Sequence, residues 1–122
     1  MEKAYNIEMQ TRDDHLWVLV GGPKLTAEIS AAYWNEIAAK CASEKCEKIL
    51  IEKNFVDSVN AEEMILMADN LSRTLPHVHV AFVDRYRHDA INELGKKLAR
   101  NRDVMFQVFD NVKDAEKWLD AN

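Results

Sequence analysis

The chain has 122 residues, 48% hydrophobic and 30% charged, enough for residues 1–122 to form a single domain whose core needs no metal or disulfide staple. Its 21 acidic residues against 16 basic ones leave a net charge of −5, which argues against a nucleic-acid duplex as partner, because such binding draws on a concentrated basic surface. The start "MEKAYNIEMQ" lacks the basic start and apolar run of a secretory signal, and the longest apolar run, Leu16 to Val20, is far short of the roughly 20 residues that span a bilayer. A cytoplasmic protein with no membrane span is expected.

Tyr5, Ile7 and Met9 alternate with Asn6, Glu8 and Gln10, a period of two that predicts a strand with one wet face. After "TRDDH" the run "LWVLV" predicts a second strand and a hairpin. "GGPKLT" is expected to break that strand, its glycines taking turn conformations, with Thr26 as the N-cap of a helix whose Ile29, Tyr33, Ile37 and Cys41 recur every four residues. Cys41 and Cys46 lie five apart, without Cys-x-x-Cys spacing or a nearby histidine, so two reduced thiols are expected rather than a zinc site or redox pair.

"KILIE" predicts the third strand. Asn60, with Glu63 three residues later, opens a helix carrying Met64, Ala68, Leu71 and Leu75, which Pro76 ends. "HVHVAFV" predicts the fourth strand, followed by a helix with Ile91, Leu94 and Leu98. "VMFQVF" is the fifth, and Asn111 and Asp114 cap a last helix that turns Ala115, Trp118 and Leu119 inward. The order is β-β-α-β-α-β-α-β-α, an α/β fold with a five-stranded mixed sheet.

The two strand parities differ. Ile7, Met9, Val18, Ile49, Ile51, Val78, Val80, Phe82, Val104, Phe106 and Val108 form an apolar face that should lie under the helices. Glu8, Trp17, Leu19, Leu50, Glu52, His77, His79, Ala81, Met105 and Gln107 form a mixed one. A doubly wound sheet would be apolar on both faces, so strands in sequential order are expected, with right-handed crossovers placing their helices on one side. The other side is left uncovered, and Trp17, Leu19, Leu50, His79 and Met105 suggest a self-association face and a homodimer.

This order, with "NFVDSVNAEEM" between the third strand and the next helix, resembles the STAS domains of anti-sigma-factor antagonists. Those proteins carry an F-x-D-S-S-G type turn here, whose second serine is phosphorylated by a partner kinase. Phe55, Asp57 and Ser58 match its first part, while Val59 stands at the phosphoacceptor position and Asn60 at the glycine. The ending, "VMFQVF" and then "AEKWL", is similar to an uncharacterised STAS-like bacterial branch also compared with CRAL-TRIO lipid-transfer domains.

In open α/β sheets, ligands and partners gather at the carboxyl ends of parallel strands. The candidate site is therefore a rim made by Asn54, Phe55, Asp57, Ser58 and Asn60 with Asp84, Arg85, Tyr86, Arg87 and His88, whose two arginines lie beside a helix start suited to an anion. Asp57 and Ser58 are read as a structural cap, with Ser58 turned inward to the backbone and Val59→Ser tolerated. No catalytic set, metal site or cofactor motif emerges: His77 and His79 lack a third ligand, and there is no phosphate loop or nucleophile elbow. The resemblance and the rim imply a non-enzymatic, STAS-like protein-interaction module acting on an unknown protein partner. The alternative is a small-molecule or lipid-binding domain of the CRAL-TRIO kind, for a small apolar or anionic ligand. A closed apolar cavity of several hundred Å³ would favour the alternative, and a packed core the module.

Overall fold

The computed structural model describes residues 4–122 and bears out the element order: β1 (Asn6–Thr11), β2 (Leu16–Lys24), α1 (Ala27–Glu44), β3 (Lys48–Asp57), α2 (Ala61–Thr74), β4 (His79–Asp84), α3 (Asp89–Arg100), β5 (Met105–Phe109) and α4 (Val112–Asp120). The sheet runs β1-β2-β3-β4-β5, with the first pair antiparallel and the others parallel. Three helix starts follow from short polar side chains. Thr26 Oγ1 accepts from Ile29 N, Asn60 Oδ1 from Glu63 N and Asn111 Oδ1 from Asp114 N, each satisfying an N–H that has no partner inside its helix.

The apolar parity is buried as a single core with α1, α2 and α3. Val18, Ile49, Ile51, Val80, Phe82 and Phe106 from the strands meet Tyr33, Trp34, Ile37, Met64, Leu71 and Ala99 from the helices. The Tyr5 hydroxyl bonds Glu36, tying the chain just before β1 to α1.

The crossover helices share one face, but α4 does not join them. It packs against β3, β4 and β5 on the other side, where Ala115 and Leu119 close over Trp17, Leu50, Ala81 and Val83. The handedness rule binds a helix that leads to a further parallel strand. Among the described residues α4 leads to no further parallel strand, so the rule does not hold it to the side of the crossover helices. This corrects the proposed self-association surface: Trp17 and Leu50 are buried within the chain, Leu19 and His79 are half-buried, and only Met105 is well exposed. His79 packs its ring 5.7 Å from that of Trp118. His77 lies outside β4 with φ at 68°, so it does not share a strand face with His79.

Two further expectations fail for local reasons. "GGPK" does not break β2: the strand continues beside β3, pairing Gly21 with Asn54, Gly22 with Phe55 and Lys24 with Asp57. Neither glycine has a positive φ. Their use is space, since a Cβ on Gly21 would sit 2.6 Å from the Asn54 carbonyl oxygen. Cys41 and Cys46 are not two reduced thiols but a disulfide. Lys45, left-handed at φ 55°, turns the chain back at the end of α1 and brings the two Cα atoms to 5.0 Å. Backbone bonds from Lys45 N to Ala42 O and Cys46 N to Cys41 O hold the same turn. Among the described residues, no helix is long and apolar enough to cross a membrane.

Gly21→Ala should cost about 2 kcal/mol in urea denaturation, because its neighbour is backbone and only movement of β3 relieves the overlap. Gly22→Ala, whose nearest contact is 3.1 Å away, should cost less.

Candidate functional site

On β3 the residues facing the helices are Ile49, Ile51, Lys53 and Phe55, so a lysine occupies a core position. The parallel register sets Lys53 directly beside Asp84 of β4. Both side chains are 2% exposed, and Lys53 Nζ lies 3.6 Å from Asp84 Oδ2. Ser58 Oγ and Asn92 Oδ1 each lie 3.5 Å from Nζ, and the amine sits 5.3 Å from the centre of the Phe82 ring.

Asp84 is the hub. Its Oδ1 accepts from Tyr86 N at 3.0 Å, and its Oδ2 accepts from His88 N at 3.0 Å, Asn92 Nδ2 at 2.8 Å and the His88 ring Nδ1 at 2.8 Å. Burial alone would push the carboxyl up. The Asn92 amide, the Lys53 ammonium and the His88 backbone and ring outweigh it and hold the carboxyl down at about 2. With the folded value below the ordinary 3.8, this group's contribution to stability is complete above about pH 4 and is lost as pH falls through about 2. Burial pulls the Lys53 amine below its ordinary value, and Asp84 opposes that pull.

The network divides the expected rim into parts. Asp84 and Phe55 are core residues, not contact residues: Phe55 is fully buried and stacks on Tyr33 with ring centres 6.1 Å apart. Ser58 does turn inward, but toward Lys53 Nζ, and the cap of α2 is Asn60 rather than Asp57 or Ser58. Val59 is buried in the core, so Val59→Ser removes packed methyls there and is not the neutral change expected from the sequence. Arg85 Nη2 pairs with Glu52 at 3.2 Å, and Arg87 Nη2 with Asp110 at 2.9 Å, so each guanidinium already has a carboxylate. Glu52 also accepts from Trp17 Nε1 at 2.7 Å, which links the rim to the α4 side of the sheet.

The outward-facing part is Val56, Asp57, Asn60, Arg85, Tyr86 and Arg87, with Val56 and Tyr86 each about half exposed at 51% and 50%. Asn54, Val56 and Tyr86 also line an open groove of about 490 Å³, shared with Asn6, Glu8, Leu19 and Gly21. It lies on the part of the mixed face beyond α4. Between the crossover helices and the sheet is a far smaller space, about 40 Å³, lined by Leu25, Trp34, Lys53, Met64, Phe82 and Asn92 among others.

No protein-family model matches the sequence, and no curated protein matches it. Solved structures do. An anti-sigma factor antagonist from Mycobacterium paratuberculosis superposes with a TM-score of 0.66 at 11% identity, over 95% of this chain and 94% of that one. A protein of the DUF3478 family from Shewanella loihica PV-4, described as having a SpoIIAA-like fold, gives a TM-score of 0.56 at 17% identity over 98% of both chains. The fold is SpoIIAA-like. Within it, the β3–α2 turn that suggested the resemblance packs Val59 into the core and points Ser58 at a buried ammonium.

Lys53 and Asn92 escaped the sequence reading. Strand parity alone could have found Lys53, since positions 49, 51, 53 and 55 share a face. Asp84→Asn should cost at least about 3 kcal/mol in urea denaturation at pH 7, since it leaves a buried ammonium without its counter-charge. Lys53→Met should cost less, because Asp84 keeps its four N–H donors, and the double variant should be more stable than Asp84→Asn alone.

Proposed function

We propose that this chain is a non-enzymatic, STAS-like regulatory module of the cytoplasm that binds a protein partner through the outward rim. The observation that carries the reading is an exposed Tyr86 on a turn fixed from beneath by Asp84, beside exposed Val56 and above an open groove. An exposed aromatic whose backbone is already held at the edge of a concave surface has less freedom left to lose on binding, which suits it to anchor a protein contact. Exposed Ile65 and Leu66, on the α2 turn that follows Asn60, add apolar surface near this part of the chain.

The anti-sigma factor antagonist of similar fold is named for acting against another protein, and a role of that kind for this chain is part of the proposal. The small-molecule or lipid reading is weaker. The space of about 40 Å³ between the crossover helices and the sheet has room for a water or two, whereas ligand pockets run to roughly 300–1,000 Å³.

Immobilised wild-type protein and variants, exposed to lysate of the native host, provide the test. A partner should be retained by wild type and by Met105→Ser, whose site lies at the opposite end of the parallel strands, and lost at least about tenfold with Tyr86→Ala or Val56→Ser, as for a contact hot spot. Equal retention by all four proteins would contradict the reading.

A further inference from the structure

The His88 ring touches two hydrogen-bond acceptors. Nδ1 lies 2.8 Å from Asp84 Oδ2, and Nε2 lies 3.0 Å from the Val56 carbonyl oxygen. An ionised carboxylate and a backbone carbonyl can only accept, so both bonds exist together only when both ring nitrogens carry protons. The contacts span the two turns of the rim, Asp84 standing at the end of β4 and Val56 near the end of β3.

We propose that His88 is a pH-sensitive clasp between these turns, closed in its doubly protonated form and open at the Val56 side once one proton leaves. A neutral ring keeps a single N–H. Asp84 retains it, because a charged acceptor makes the stronger bond and the His88 backbone already holds the ring beside that carboxylate. Nε2 then turns a lone pair toward the Val56 oxygen, and attraction becomes repulsion. The Val56 carbonyl has to move, taking with it the peptide group shared with Asp57 and the turn that leads to the Asn60 cap.

The charged and titratable groups around the ring come from three elements. From β4 and its turn come Asp84, Arg85, Arg87 and the Tyr86 ring, the last with its centre 6.2 Å from that of His88. Lys53 and Asp57 come from β3, and Asp89 from α3. Lys53 is engaged by Asp84, Arg85 by Glu52 and Arg87 by Asp110, so Asp84 is the charge in direct contact. Histidine is the side chain whose ordinary change of charge falls between about pH 5 and 8, which sets the range over which the clasp is to be tested. This inference rests on the rim being the contact surface: closing it would present Val56 and Tyr86 in one fixed arrangement, and opening it would withdraw that arrangement.

The test is a nuclear magnetic resonance titration of 15N-labelled wild-type protein from pH 5 to 8.5. The Asp57 amide nitrogen should shift with the same midpoint as the His88 ring nitrogens, and both ring nitrogens should report protons at the acid end. Amide exchange at Asp57 and Ser58, corrected for the intrinsic pH effect, should rise at least about tenfold across that midpoint, the factor expected for one lost charge-assisted hydrogen bond. His15, His77 and His79 are internal controls. In His88→Gln, whose amide does not titrate, the Asp57 response should disappear. An Asp57 signal that stays still over this range, follows another histidine or persists in His88→Gln would overturn the clasp. None of these readouts needs a partner. A titrating clasp together with partner capture indifferent to Tyr86→Ala and Val56→Ser would leave the clasp standing and remove the rim reading.

Discussion

The arrangement of the rim depends on one interaction, the buried pair of Lys53 and Asp84. Two charges withdrawn from water cost several kcal/mol each unless their remaining hydrogen-bonding capacity is met. Here the carboxylate meets it almost entirely with donors from the β4–α3 segment: two backbone N–H groups, a ring nitrogen and an amide. The demand for compensation thus becomes a constraint on loop shape. Tyr86 and His88 stay where they are because moving either would strip a buried anion of a partner. An apolar pair at 53 and 84 would fill the same space and place no such demand on the turn, so the pair is better explained by the geometry it imposes than by the stability it adds.

The second constraint is the division of the sheet into two unequal faces. Three crossover helices bury the apolar parity, and α4 alone covers part of the other, leaving the β1–β2 end open. Glu52 stands on this second face, accepting from Trp17 and Arg85 at once, so the α4-side packing and the rim share a residue. The groove, the exposed aromatic and the buried network meet where the parallel strands end, the place at which an open α/β sheet offers partners its loops. Among the described residues, the space between the crossover helices and the sheet is about 40 Å³, far smaller than the open groove at the rim.

Much of this was legible in the sequence, and the failures have physical causes. Sequence pattern gave every element in order because the strands stand out as short alternating or continuous apolar segments and three helices open on Thr26, Asn60 or Asn111, each with a side chain that accepts from the third residue beyond it. The parity rule correctly assigned the helix-covered face. It stopped short at α4, whose side depends on where the chain can go after β5 rather than on its own pattern. "GGPK" reads as a turn by composition, yet the glycines serve close strand approach, which is a property of the neighbour Asn54. The Cys41–Cys46 disulfide depends on a left-handed Lys45 that carries no sequence mark. In the site, position was legible and role was not. The rim residues were named from topology, but Asp84 and Phe55 are inside it. Lys53, which organises it, was passed over because a lysine is read as surface until strand register places an acid beside it.

The most direct test of the central claim is native-state hydrogen exchange at the Tyr86 and His88 amides, both in a surface turn and both donating to Asp84. If the buried pair fixes the rim, these two amides should exchange nearly as slowly as those of Val80 and Phe82 in β4, and far more slowly than amides of turns without such an acceptor. Exchange at the rate of an unprotected loop, with β4 still protected, would show that the turn moves independently of the pair and would contradict the account.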